Sequence, residues 1–136
     1  MADTQAPDDD KLKTVVIIKA GERTRNGRVY PREVIMAMVN GAADRVENGS
    51  FFGTVKEQPG LTISIDDITH RVVRLDVDDE GCAVAAMRPI PNTLAPMSEF
   101  ADFVPGGYAA KVDPDGTVRE FVLTHVAMVP KQGKQP

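Results

Sequence analysis

Between residues 13 and 130 the chain alternates short β-branched runs with one stretch of helical period. Val15, Val16, Ile17 and Ile18 form an unbroken apolar run, too short for a helix, which predicts a buried strand over 14–19. After Pro31, the residues Ile35, Met38, Val39, Ala42 and Val46 recur at spacings of three and four, one face of a helix. Pro31 suits the first helical position, where a missing N–H costs nothing, and Asn48-Gly49 supplies the stop. Residues 50–55 read as a strand and Glu57-Gln58-Pro59-Gly60 as a turn. Residues 68–77 alternate, with Ile68, His70, Val72, Arg74 and Asp76 on one side and Thr69, Arg71, Val73, Leu75 and Val77 on the other. The turn at Asp78-Asp79-Glu80-Gly81 leads into a second strand over 82–90. Pro91-Asn92-Thr93 predicts a short helix carrying Leu94, Met97, Phe100 and Phe103, ended by Pro105-Gly106-Gly107. A last hairpin joins 108–112 to 118–128 across Asp113-Pro114-Asp115-Gly116. The pattern predicts an α+β fold: a mostly antiparallel β-sheet or small barrel with one long helix and one short helix packed on it.

Outside that stretch the periodicity stops. Residues 1–12 are polar, with the acidic triplet Asp8 to Asp10, and read as a flexible acidic arm; residues 131–136 read as a flexible tail. A chain of 136 residues with no internal linker or repeat predicts one domain over 13–130. The formal net charge is −4 and the sequence pI about 5.1, which argues against coating nucleic acid. With no Trp and only two Tyr, a stacking platform for single strands is not expected either. No apolar run approaches the roughly 20 residues that cross a bilayer, and the acidic first ten residues are unlike a secretory signal, so no membrane partner is expected. The single cysteine, Cys82, excludes an internal disulfide and a Cys-rich zinc site, and reads as a small packed hydrophobe.

Candidate chemistry is sparse. Two histidines, His70 and His125, fall on predicted strands. Two imidazoles without carboxylates at metal spacing make a poor metal site, so no metal and no cofactor is expected; the competing reading is that each ring is satisfied by its surroundings. The serines are Ser50, Ser64 and Ser98, and none sits on a Gly-flanked exposed turn. Ser64 lies six residues before His70, roughly 20 Å along an extended chain. Arg23, Arg25, Arg28 and Arg32, with Lys19 before them, concentrate positive charge in an acidic protein. They form either a solvated loop or a docking surface for carboxylates or phosphates, which Arg recognises through bidentate hydrogen bonds.

Taken in order, these segments resemble the prohead maturation proteases of tailed phages, relatives of the herpesvirus assemblin-type His/Ser proteases. Asn26 to Val34 (NGRVYPREV) is similar to that family's Asn-Gly-Arg-x-Tyr-Pro opening before its first long helix. Residues 52–60, 66–93 and 105–129 resemble, in turn, its Gly-Glu-Leu-x-His-Pro segment, its catalytic-histidine hairpin and its serine strand with the final hairpin. The resemblance implies that His70 stands at the catalytic histidine. It also implies that Ala109 and Ala110 stand where the family has serines, Ala127 where it tends to have an acidic residue, and Gln58 at the histidine of the His-Pro turn. Alanine carries no nucleophilic atom, so acyl transfer is not expected at that position.

Three functions follow as expectations. One is a non-enzymatic virion protein that binds the capsid lattice as a decoration or cement subunit. Arg23, Arg25, Arg28 and Arg32 would then be its docking residues, the major capsid protein its partner and a homo-oligomer its assembled form. It would be found on the capsid surface of the virion, and in the host cytoplasm during assembly. The alternatives are a capsid maturation serine protease whose serine is lost or engineered away, and an assembly or scaffold factor.

Overall fold

The computed structural model describes residues 12–24, 27–58 and 62–131. The expected arm and tail therefore lie outside the described residues, apart from Leu12 and Lys131. Strand β1 (Lys13–Ile18) is followed by helix α1 (Arg32–Glu47), a short β2 (Phe52–Thr54), the hairpin β3 (Ile68–Val77) and β4 (Ala83–Pro89), and the long hairpin β5 (Ala101–Val112) and β6 (Val118–Pro130). Two 3-10 turns, Ile65–Asp67 and Ala95–Phe100, precede β3 and β5. The strands form one sheet in the order β1-β4-β3-β2-β6-β5. Every neighbouring pair is antiparallel except β2 and β6, so the sheet is mixed. It curls into a half-barrel, and its edges β1 and β5 border a cleft of about 940 Å³.

Helix α1 forms where its apolar period predicts. Val34, Ile35, Met38, Val39 and Ala42 are buried, and the helix packs against β3 and β6 on either side of the three-residue β2. Pro31 is the residue just before the helix, not its first: its backbone is extended and its carbonyl accepts the N–H groups of Val34 and Ile35. Glu33 in the first turn and Arg45 in the last oppose the helix dipole favourably. Gly49 takes the left-handed conformation (φ 82°) that closes the helix.

Strand β3 departs from simple alternation. His70 and Val72 are fully buried, but beyond them Leu75 and Val77, not Arg74 and Asp76, pack on the core. The cause is a bulge against β4, where Val72 pairs with Met87 and Arg74 with Ala86. One extra residue shifts the inward set from even to odd positions.

The second helix is shorter than predicted, a single 3-10 segment, and Phe103 belongs to β5. Pro105-Gly106-Gly107 lies inside that strand instead of ending a helix. Glycine is required there by close approach. A Cβ on Gly106 would run into the His125 ring, and one on Gly107 (φ 137°) would run into the Val122 carbonyl. Leu94, Met97 and Phe100, assigned by the sequence to that helix, are exposed.

Candidate functional site

The described histidines occupy matching local settings. His70 on β3 and His125 on β6 are both fully buried, and each is preceded by a threonine whose Oγ1 lies 2.8 Å from the ring Nδ1. At His125 the Gln58 backbone N–H donates to Nε2 at 3.2 Å, so Nε2 carries the lone pair and Nδ1–H donates to Thr124. At His70 the Thr69 hydroxyl donates to the Gly53 carbonyl at 3.4 Å, which leaves Nδ1–H to donate to Thr69 Oγ1. His70 Nε2 then holds a buried lone pair with no hydrogen-bond partner.

Burial, aided by the positive charge of Lys13, pushes the His70 pKa down to about 4; burial lowers that of His125 as well. Both rings are therefore neutral at pH 7. The rings do not form one site. Gly53 pairs with both His70 and Val126, so Val126 shares a face with His70, and its neighbour His125 points to the opposite face.

Strand register decides what meets His70. Val126 pairs with Pro105 on β5, and two residues earlier on the same face the Phe103 ring stands edge-on to the imidazole, 5.6 Å between centroids. Phe103 also lines the cleft between β1 and β5, a lining to which His70 does not contribute. Ala109 pairs with Phe121, four residues beyond Pro105 and about 13 Å along the strand. Ala109 and Ala110 are thus not brought to His70, and the β5 side chain against the imidazole is Phe103. Ala127 is buried opposite Thr54 and Val104. No serine hydroxyl is within hydrogen-bonding distance of His70 Nε2. Ser50 and Ser64 are exposed, and Ser98 is buried in the 3-10 segment.

Gln58 has a role the sequence reading missed. Its side chain donates to the Lys56 carbonyl and the Asp67 carboxylate and accepts the Ser64 N–H, while its backbone holds His125. One buried amide thereby clamps both ends of the segment between β2 and β3. The repeated Thr-His dipeptide was the available sequence signal for the paired histidine settings.

The arginines are engaged with the protein's own turns. Arg23 donates to the Gly27 and Asp115 carbonyls at 2.7 and 2.9 Å, tying its loop to the β5–β6 turn. Arg32 donates to the Asp79 carbonyl at 3.0 Å and packs where a Cβ on Gly81 would stand. Arg28 is half-buried beside Tyr30, and Arg25 lies outside the described residues. Arg23→Ala is expected to lower stability by about 1 kcal/mol, with two solvent-accessible charge-assisted bonds lost; urea unfolding checks it. Asp78, Glu80 and Cys82 bring ligand-type atoms within 4.8 Å of one another. There Asp78 Oδ1 accepts the Glu80 and Cys82 N–H groups and so holds the β3–β4 turn.

No protein-family model matches the sequence, and no curated protein does. Among solved structures, the capsid assembly protease of bacteriophage T4 superposes with a TM-score of 0.67 over 86% of this chain and 79% of that one, at 17% identity. The fold is similar to that of the T4 capsid assembly protease. At this identity the likeness concerns architecture, and it agrees with the α+β class, a sheet or small barrel with one long and one short helix, reached from the hydrophobic pattern. Among the described residues, no helix of this protease-like fold is long and apolar enough to cross a membrane.

Proposed function

We propose that this chain is a non-enzymatic phage structural protein that binds the capsid lattice as a decoration or cement subunit, on a protease-like fold that does not cleave. The observation that carries the reading is the sealing of His70. Its ring is fully buried, its Nε2 has no partner, and the Phe103 ring of β5 stands against it. A general base must reach the proton it abstracts; the hydroxyl on the ring is that of Thr69 at Nδ1, and Nε2 meets none. The fold likeness to a capsid protease supports the phage setting.

The competing reading is an active maturation protease, favoured by the activity named for that structural neighbour. The two separate under a serine-directed fluorophosphonate probe. Purified protein is expected to remain unlabelled and to leave capsid and scaffold substrates intact. Stoichiometric labelling of Ser98 or Ser50, lost in His70→Ala, would sink the non-enzymatic reading. An assembly factor would be absent from mature DNA-filled particles, whereas a decoration subunit is expected there in stoichiometric amounts. Co-sedimentation with capsids of the cognate major capsid protein measures the binding directly.

A further inference from the structure

On the face of the β3–β4 hairpin opposite His70, two arginines stand directly across from each other. Arg71 and Arg88 are register partners, so their side chains project to the same side. Like charges placed opposite in an antiparallel pair repel, and a sheet gains nothing from the arrangement by itself. Neither guanidinium has a hydrogen bond or ion pair among the described residues, and Nε of Arg88 is buried without a partner. Both line a concavity of about 280 Å³ whose other wall is the end of α1, with Val46, Glu47 and Gly49.

The helix end accounts for Arg71. Its guanidinium lies over Gly49, 3.5 Å from where a Cβ would stand, near the carbonyl-rich terminus that attracts cations. That leaves the buried donor of Arg88 unexplained, and a buried unpaired N–H on a charged group is costly.

We propose that the Arg71–Arg88 pair is a binding site for a single carboxylate, of the kind an acidic side chain of a protein partner supplies. Paired guanidiniums offer parallel N–H forks that match a planar carboxylate, and a bound anion would satisfy Arg88 Nε while screening the two cations from each other. Glu47 in the lining leaves an excess of one positive charge, which suits a monoanion better than a phosphate dianion. The site is separate from His70 and from the arginines of the 20–32 loop, and it stands whether or not the chain decorates a capsid.

The test is to follow the Arg Nε–Hε resonances of the full chain by NMR during titration with sodium acetate, sodium phosphate and sodium chloride at matched ionic strength. The Arg88 resonance is expected to shift saturably with acetate in the millimolar range and to respond to chloride only weakly and linearly. Arg71→Gln should weaken the acetate response about tenfold or more; Arg71 is exposed, so this variant keeps the wild-type backbone spectrum. An acetate response indistinguishable from chloride overturns the site. Saturation by phosphate but not by acetate overturns the carboxylate assignment, and an unchanged response in Arg71→Gln overturns the pairing.

Discussion

Met38→Asp is expected to abolish the cooperative fold, whereas Met36→Asp, two residues away on the same helix, leaves it intact. Met38 is 3% exposed and belongs to the core cluster with Ile35, Ala42, Val72, Met87 and Val126. The substitution removes a buried side chain, which alone costs about 2–5 kcal/mol. It also places a carboxylate in a cluster of buried apolar side chains, and the group must either desolvate or be protonated at further cost. A single domain holds about 5–15 kcal/mol in total, so the combined loss consumes most of it. Met36 is 47% exposed, and a polar side chain there replaces solvent-facing area, for a change within about 0.5 kcal/mol. Far-UV circular dichroism with thermal melting separates the two. A Met38→Asp protein that melts like the wild type would mean that α1 does not bury this face.

Acid is expected to destabilise the protein well above the pH at which carboxylates titrate. His70 has a pKa near 4 when folded and an ordinary value near 6.5 when unfolded, so between these limits the unfolded chain binds more protons. Stability is therefore full above about pH 6.5 and falls as pH drops toward 4, by about 3 kcal/mol for this residue. His125 is depressed in the same direction and adds to the loss. Urea unfolding at pH 7.5, 6.5, 5.5 and 4.5 reads the slope. His70→Gln removes one titrating group and should flatten it, even though the variant starts from lower stability. A wild-type profile level from pH 7.5 to 4.5 would show that His70 is solvated or already charged in the fold.

The same residues separate what was legible in the sequence from what was not. Local periodicity was enough for α1, because a helix repeats its contacts every three or four residues and Met38, Val39 and Ala42 declare the buried face without reference to anything distant. It was enough for β1 and for the β3–β4 hairpin, including the turn held by Asp78, since turn chemistry is also local. It was not enough for Phe103. Pro105-Gly106-Gly107 has the composition of a helix terminator, and only the approach of His125 across the sheet explains glycine inside a strand.

Nor did alternation reveal that β3 changes its inward face after Val72, because the bulge exists only in the pairing with β4. The candidate site follows the same division. His70, its threonine and the arginines were visible as residue types. Which side chain meets the imidazole, and whether a nucleophile stands there, depends on the register linking β3 through β2 and β6 to β5. That register includes a parallel pair between segments some seventy residues apart, and a shift of one residue would turn each side chain to the other face. The identities of the reactive groups are written in the chain, but the sealing of His70 by Phe103 and the facing of Arg71 by Arg88 arise only when distant strands pair.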